Sequence, residues 1–145
     1  MKKKLLLIVL LCALTAVIAL IHMNSRPKVA ENSIEIISGD ATTNISLDDI
    51  SLIDVKGTIV NGKGETKDIN AKGCLLSSLL NQAKVTVTDS VKVVSSDEYS
   101  ATITADELKG DAVYLIQNED SYQLLVFTDQ NSKRNVKDVE RIEVQ

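Results

Sequence analysis

The feature that most constrains this chain is its start. Lys2-Lys3-Lys4 is followed by residues 5–21, LLLIVLLCALTAVIALI, 17 consecutive residues without a charge. A basic end held inside followed by an apolar run has the layout of an export signal or signal anchor, so whatever follows is expected outside the membrane. At about 1.5 Å per residue such a helix spans roughly 25 Å, which snorkelling lysines and Ile21-His22-Met23 extend toward the hydrocarbon thickness. The best small-residue cleavage site, Val17-Ile18-Ala19, lies inside the apolar run, so an uncleaved anchor is favoured over a secreted product. Cys12 is followed by more apolar sequence and preceded by Leu11, a poor lipid-attachment site, and reads as a small membrane residue. His22 is an interfacial residue.

Residues 1–24 are thus read as the signal anchor or signal peptide, 25–32 as a polar tether carrying the only proline, Pro27, and 33–145 as one extracytoplasmic domain. From residue 29 onward 11 Lys and Arg face 20 Asp and Glu, a net charge near −9. That charge cannot neutralise phosphates, so nucleic acid is excluded as a partner. One His and two Cys in 145 residues leave few routes to metal, nucleophilic or imidazole catalysis.

Ser33-Ile34-Glu35-Ile36-Ile37 alternates as a half-buried strand, and Ser46-Leu47-Asp48-Asp49 predicts a capped helical turn. Residues 52–60 read as a strand leading into Asn61-Gly62-Lys63-Gly64, a hairpin signal in which Asn-Gly accepts positive φ, with 65–69 as the return strand. Residues 73–83 place Leu75, Leu76, Leu79 and Leu80 on one face at helical spacing, which predicts the main core helix. Strands are expected at 90–95 and 99–103 around Ser96-Asp97-Glu98, then a capping box in Thr104-Ala105-Asp106-Glu107. Further strands follow at 112–117, 122–128 and 136–144. The fold class predicted is α+β: a mixed or antiparallel sheet with one main core helix and short helices, behind the N-terminal hydrophobic helix.

Five segments in order carry a resemblance: Gly73-Cys74-Leu75-Leu76-Ser77-Ser78-Leu79-Leu80, then Val91 to Ile103 with Ser96-Asp97-Glu98-Tyr99-Ser100, then Ala112-Val113-Tyr114-Leu115-Ile116, Leu124-Leu125-Val126-Phe127, and Val136-Lys137-Asp138-Val139-Glu140-Arg141-Ile142-Glu143-Val144. Together, over about residues 44–145, the chain resembles the oxidoreductase molybdopterin-binding domain of the sulfite oxidase family. The resemblance implies a thiolate ligand to molybdenum just after an early strand. Here that stretch is Thr58-Ile59-Val60-Asn61-Gly62, without a cysteine, and a soft thiolate has no substitute there. The family's "G-x-P-x-R" segment is replaced by Asp120-Ser121-Tyr122-Gln123. The resemblance therefore implies a degenerate scaffold with no cofactor and no catalytic, cofactor-binding or metal residues.

Cys74 is the weak candidate for a reactive thiol: at a helix N-terminus its thiolate would be stabilised, while its simpler reading is a buried small side chain. Asp97-Glu98 and Asp106-Glu107 are adjacent acids that point apart and read as turn and cap residues. Lys133-Arg134 with Lys137 and Arg141 is the one basic cluster and reads as a solvated face. Tyr99, Tyr114, Tyr122 and Phe127 are expected half-buried in strands. Asn44-Ile45-Ser46 fits a glycosylation sequon. The function expected is a membrane-tethered, extracytoplasmic, non-catalytic module binding a partner protein or small ligand. The alternative is an oxidoreductase subunit using molybdopterin or another redox cofactor, completed by a partner.

Overall fold

The computed structural model describes Thr15 and residues 32–145. The expectations for the apolar run, the tether up to Glu31, Cys12 and His22 lie outside the described residues; among these no helix is long and apolar enough to cross a membrane.

Among the described residues nine strands form two sheets: β1 Ser33–Ser38, β2 Ala41–Ser46, β3 Ile53–Val60, β4 Thr66–Leu75, β5 Ser90–Ser95, β6 Ser100–Thr104, β7 Val113–Asn118, β8 Ser121–Val126 and β9 Val139–Val144. The first sheet has the order β2-β1-β9-β5-β6 and the second β3-β4-β7-β8. All pairs are antiparallel except β1 with β9. Within residues 32–145 the helical elements are a 3-10 turn at Leu47–Asp49, α1 at Leu76–Gln82 and α2 at Ala105–Leu108.

This corrects the expected α+β class. Strands hold 51% of the described residues and helical residues 13%, a β-rich fold of two sheets in which residues 32–145 form one helix longer than a single turn. Two local outcomes account for the difference. Gly73, Cys74 and Leu75 continue β4 and pair with Ile116, Leu115 and Tyr114 of β7, so α1 starts three residues later than the leucine spacing predicts. Strand pairing there satisfies backbone groups that a helix start would leave open, and Leu75 offers α1 no side-chain cap. The second is β2, whose polar Ala41-Thr42-Thr43-Asn44 gave no alternating pattern. It is held instead by the two-residue Gly39-Asp40 loop, with Gly39 at φ +58.

The remaining elements follow their signals closely. Ser46 Oγ accepts from Asp48 N–H at the 3-10 turn, and the Thr104–Glu107 capping box is complete. The β3–β4 turn forms at the expected residues with different chemistry: Asn61 Oδ1 accepts from Lys63 and Glu65 N–H, and the positive φ falls on Gly64 rather than on Asn-Gly.

One core fills the space between the sheets. It joins Ile34, Ile36, Val91, Val93, Ile103 and Ile142 of the first sheet to Cys74, Leu115, Tyr122 and Leu124 of the second, with Leu76, Leu79 and Leu80 of α1. A smaller cluster of Val55, Ile59, Ile116 and Leu125 lies on the other face of the second sheet, where Tyr114 and Phe127 meet edge to face at 5.6 Å.

Candidate functional site

The concavity with a ligand-binding character lies at one end of the core, between α1, the 84–87 segment and α2. Lys84, at φ +57, ends α1, and Val85 N–H donates to the Leu80 carbonyl, which turns the chain back across the helix. Val85 and Val87 then lie half-buried against the core, while Thr86 faces the groove. The capping box fixes α2 opposite them, bringing Ala105, Leu108 and Lys109 to the other wall. The groove encloses about 310 Å³, with Leu80, Val85, Val87 and Leu108 as its apolar floor and Ser77, Asn81, Thr86 and Lys109 as polar groups. Lys109 Nζ, its one ionisable lining group, is held by Asp106 at 2.6 Å. The volume is at the small end for ligand sites, and the lining suits an apolar body with an acceptor or anionic end. Sequence reading missed this groove. Its signal was the alternation of Val85-Thr86-Val87-Thr88, strand-like in pattern yet joined to no sheet.

The residues singled out from sequence do not converge on it. Cys74 lies in β4 among core side chains rather than at a helix N-terminus, and burial pushes its thiol up to about 11, away from thiolate character. Residues 58–62 are the free end of the β3–β4 hairpin, where Asn61 is occupied by its own turn and by Glu65. These residues do not fit a molybdopterin: no thiolate stands at that place, and Arg134 and Arg141 are engaged elsewhere. Arg134 is paired with Asp129 and, at 2.8 Å, with Glu107; Arg141 meets Glu98 at 2.8 Å and Glu143 at 2.8 Å. The two arginines of the basic cluster thus sit in two separate ion-pair networks.

The adjacent acids also part company. Asp97 accepts from Ser95 Oγ and Tyr99 N–H within the β5–β6 turn, and Glu98 turns to Arg141. Asp106 takes Lys109 and Glu107 takes Arg134. Among the described residues no group of three or more His, Cys, Asp or Glu is placed to hold a metal ion. Of the aromatics, Tyr114 and Phe127 are half-buried as expected, Tyr122 is fully buried with a hydroxyl that has no hydrogen-bond partner among the described residues, and Tyr99 is 50% exposed. Tyr99 differs because its hydroxyl reaches out to donate to the Lys133 carbonyl. Asn44 is exposed on β2.

Glu107 ties α2 to the 129–134 loop, and its carboxyl is lowered from the usual 4.5 to about 2, chiefly by the hydrogen bond from Arg134. A depressed folded-state value means that this contribution is full above 4.5 and is lost as pH falls toward 2. Glu107→Gln should therefore flatten the fall in denaturation midpoint between pH 4.5 and 2, relative to the native chain. Parallel midpoints for both proteins across that window would refute it.

No family model matches the chain, and no curated protein matches it either.

Proposed function

We propose that this chain is a membrane-tethered, extracytoplasmic binding module without catalytic chemistry, whose groove between α1 and α2 takes a small, largely apolar ligand with an acceptor or anionic end. The observation that carries the proposal is the groove itself: an apolar floor, a sparse polar rim and one lysine held by Asp106. The tether and its sidedness rest on Lys2-Lys3-Lys4 and the apolar run 5–21. The resemblance to the molybdopterin-binding domain enters only through what residues 58–62 lack.

Two measurements on the full chain test both halves. Protease added outside intact cells should digest the domain, and a protected domain would overturn the tether. With the protein purified in detergent, the fluorescent probe 1-anilinonaphthalene-8-sulfonate should saturate at one site, its rings over Leu80 and Leu108 and its sulfonate toward Lys109. Ala105→Trp, which fills the groove from its α2 wall, should weaken that binding about tenfold or more, since about 1.4 kcal/mol of lost contact is enough. Unchanged probe affinity in the folded variant would place binding elsewhere.

A further inference from the structure

The four strand edges of the two sheets are not alike. On β6 the Arg134 Nη1 donates to the Thr102 carbonyl at 3.3 Å and Glu107 Oε2 accepts from Thr104 N–H at 2.9 Å, so side chains close that edge. On β8 the 135–136 segment closes it: Leu124 N–H donates to the Val136 carbonyl and Val126 N–H to Asn135 Oδ1. Edge strand β3 carries Asp54 and Lys56. These are the usual protections against a foreign strand.

Among the described residues β2 has none of them. It reads Ala41-Thr42-Thr43-Asn44-Ile45-Ser46, with no charge and no proline, pairs with β1 without a bulge, and exposes its first four residues. The tight Gly39-Asp40 loop makes Ser38 and Ala41 a hydrogen-bonded pair, so Ile36/Thr43 and Ile34/Ile45 are too. In the intervening pairs, Ile37/Thr42 and Glu35/Asn44, the backbone N–H and C=O of Thr42 and Asn44 point outward.

We propose that β2 is an interaction edge for a second copy of this chain, pairing antiparallel with its counterpart about a two-fold axis through Thr43. The edge is complementary to itself. With Thr43 facing Thr43, the outward groups of Thr42 meet those of Asn44 in the other copy, making a hydrogen-bonded pair on each side of the axis. Ala41 then faces Ile45 and Asp40 faces Ser46, so no like charges oppose each other on a domain that is otherwise strongly acidic. One six-residue edge buries far less than the roughly 1,000 Å² of a stable free dimer. The inference therefore rests on the tethered reading for the crowding that lets copies meet, though not for the pairing geometry.

The full chain, with Cys12→Ser to remove the leader thiol and Cys74 left buried, is reconstituted in phosphatidylcholine vesicles and oxidised mildly. Thr43→Cys should give a disulfide-linked dimer several-fold above Thr102→Cys on the closed β6 edge, because the facing Cα atoms would lie about 4.5 Å apart. Adding Thr42→Pro, which removes an outward N–H that β1 does not use, should abolish the dimer. So should Thr42→Lys with Asn44→Lys, which sets lysines opposite each other on exposed positions. Equal yields at Thr43→Cys and Thr102→Cys, or a dimer that survives both edge changes, would overturn the proposal. Cross-linking of Thr43→Cys to a different protein in native membranes, with no dimer, would also overturn it. If the chain proves soluble, the tether fails separately, and the same cross-linking at high protein concentration still decides the edge.

Discussion

Gly73→Ala is expected to destabilise the domain by about 3 kcal/mol, toward the top of the range for forced overpacking. A β-carbon at Gly73 would lie 2.5 Å from the Leu115 carbonyl oxygen and 3.0 Å from the Ile116 Cα, both backbone atoms that cannot rotate aside. Relief requires β4 and β7 to separate. Their pairing consists of Gly73, Cys74 and Leu75 against Ile116, Leu115 and Tyr114, the one ladder that joins the β3–β4 hairpin to β7–β8. Gly62→Ala is the control: the nearest atom is Ser132 Oγ at 3.5 Å, an ordinary contact, and the change should stay within about 0.5 kcal/mol. Urea denaturation of the two variants decides the matter. Equal midpoints would mean that the β4–β7 joint is looser than its geometry implies.

Leu79→Ala should cost roughly 2 to 5 kcal/mol, because Leu79 is 1% exposed in the core between the sheets and its removal leaves a leucine-sized void. Leu75→Ala should cost less, about 1 to 2 kcal/mol, since Leu75 is half-buried in β4 and loses only part of its burial. The contrast separates two pictures of the segment. A helix beginning at Gly73 would put Leu75 on the same buried face as Leu79 and make the two losses alike. Denaturant midpoints with unchanged slopes are the measurement, and equal losses would restore the longer helix.

Much of the local structure was legible because its causes are local. Thr104 and Glu107 cap α2 with their own side chains, Ser46 caps the 3-10 turn, and the strands at 90–95 and near 113–118 alternate or run apolar as buried strands do. The class was misread where a non-local partner outweighed local periodicity. Leucine spacing at 75, 76, 79 and 80 fits a helix, yet β7 captures residues 73–75 into a ladder before the helix can begin. Tyr99 was misread for a related reason: it lies in the β5–β6 turn just before β6, and its hydroxyl donates to the Lys133 carbonyl.

The candidate site was the least legible part. The acidic pairs and the basic cluster stand out in the sequence as like charges in pairs, and their cross-strand and cross-loop partners are invisible there. Glu98 finds Arg141 at 43 residues' separation, and Glu107 finds Arg134 across 27 positions that no local rule connects. The groove joins α1, an unpaired 84–87 segment and α2, which adjoin only because the helix reverses at Lys84 and α2 packs opposite it.

By itself the sequence determined what depends on neighbours along the chain: the charged start and apolar run, the acidic charge of the domain, its caps, its turns and most of its strands. Tertiary structure alone decided where β4 ends and α1 begins, which acids are neutralised, where a ligand-sized groove opens, and which strand edges other described residues close. Those outcomes are set by backbone pairing and side-chain contact between segments tens of residues apart, whose free energies exceed the local preferences that a sequence displays.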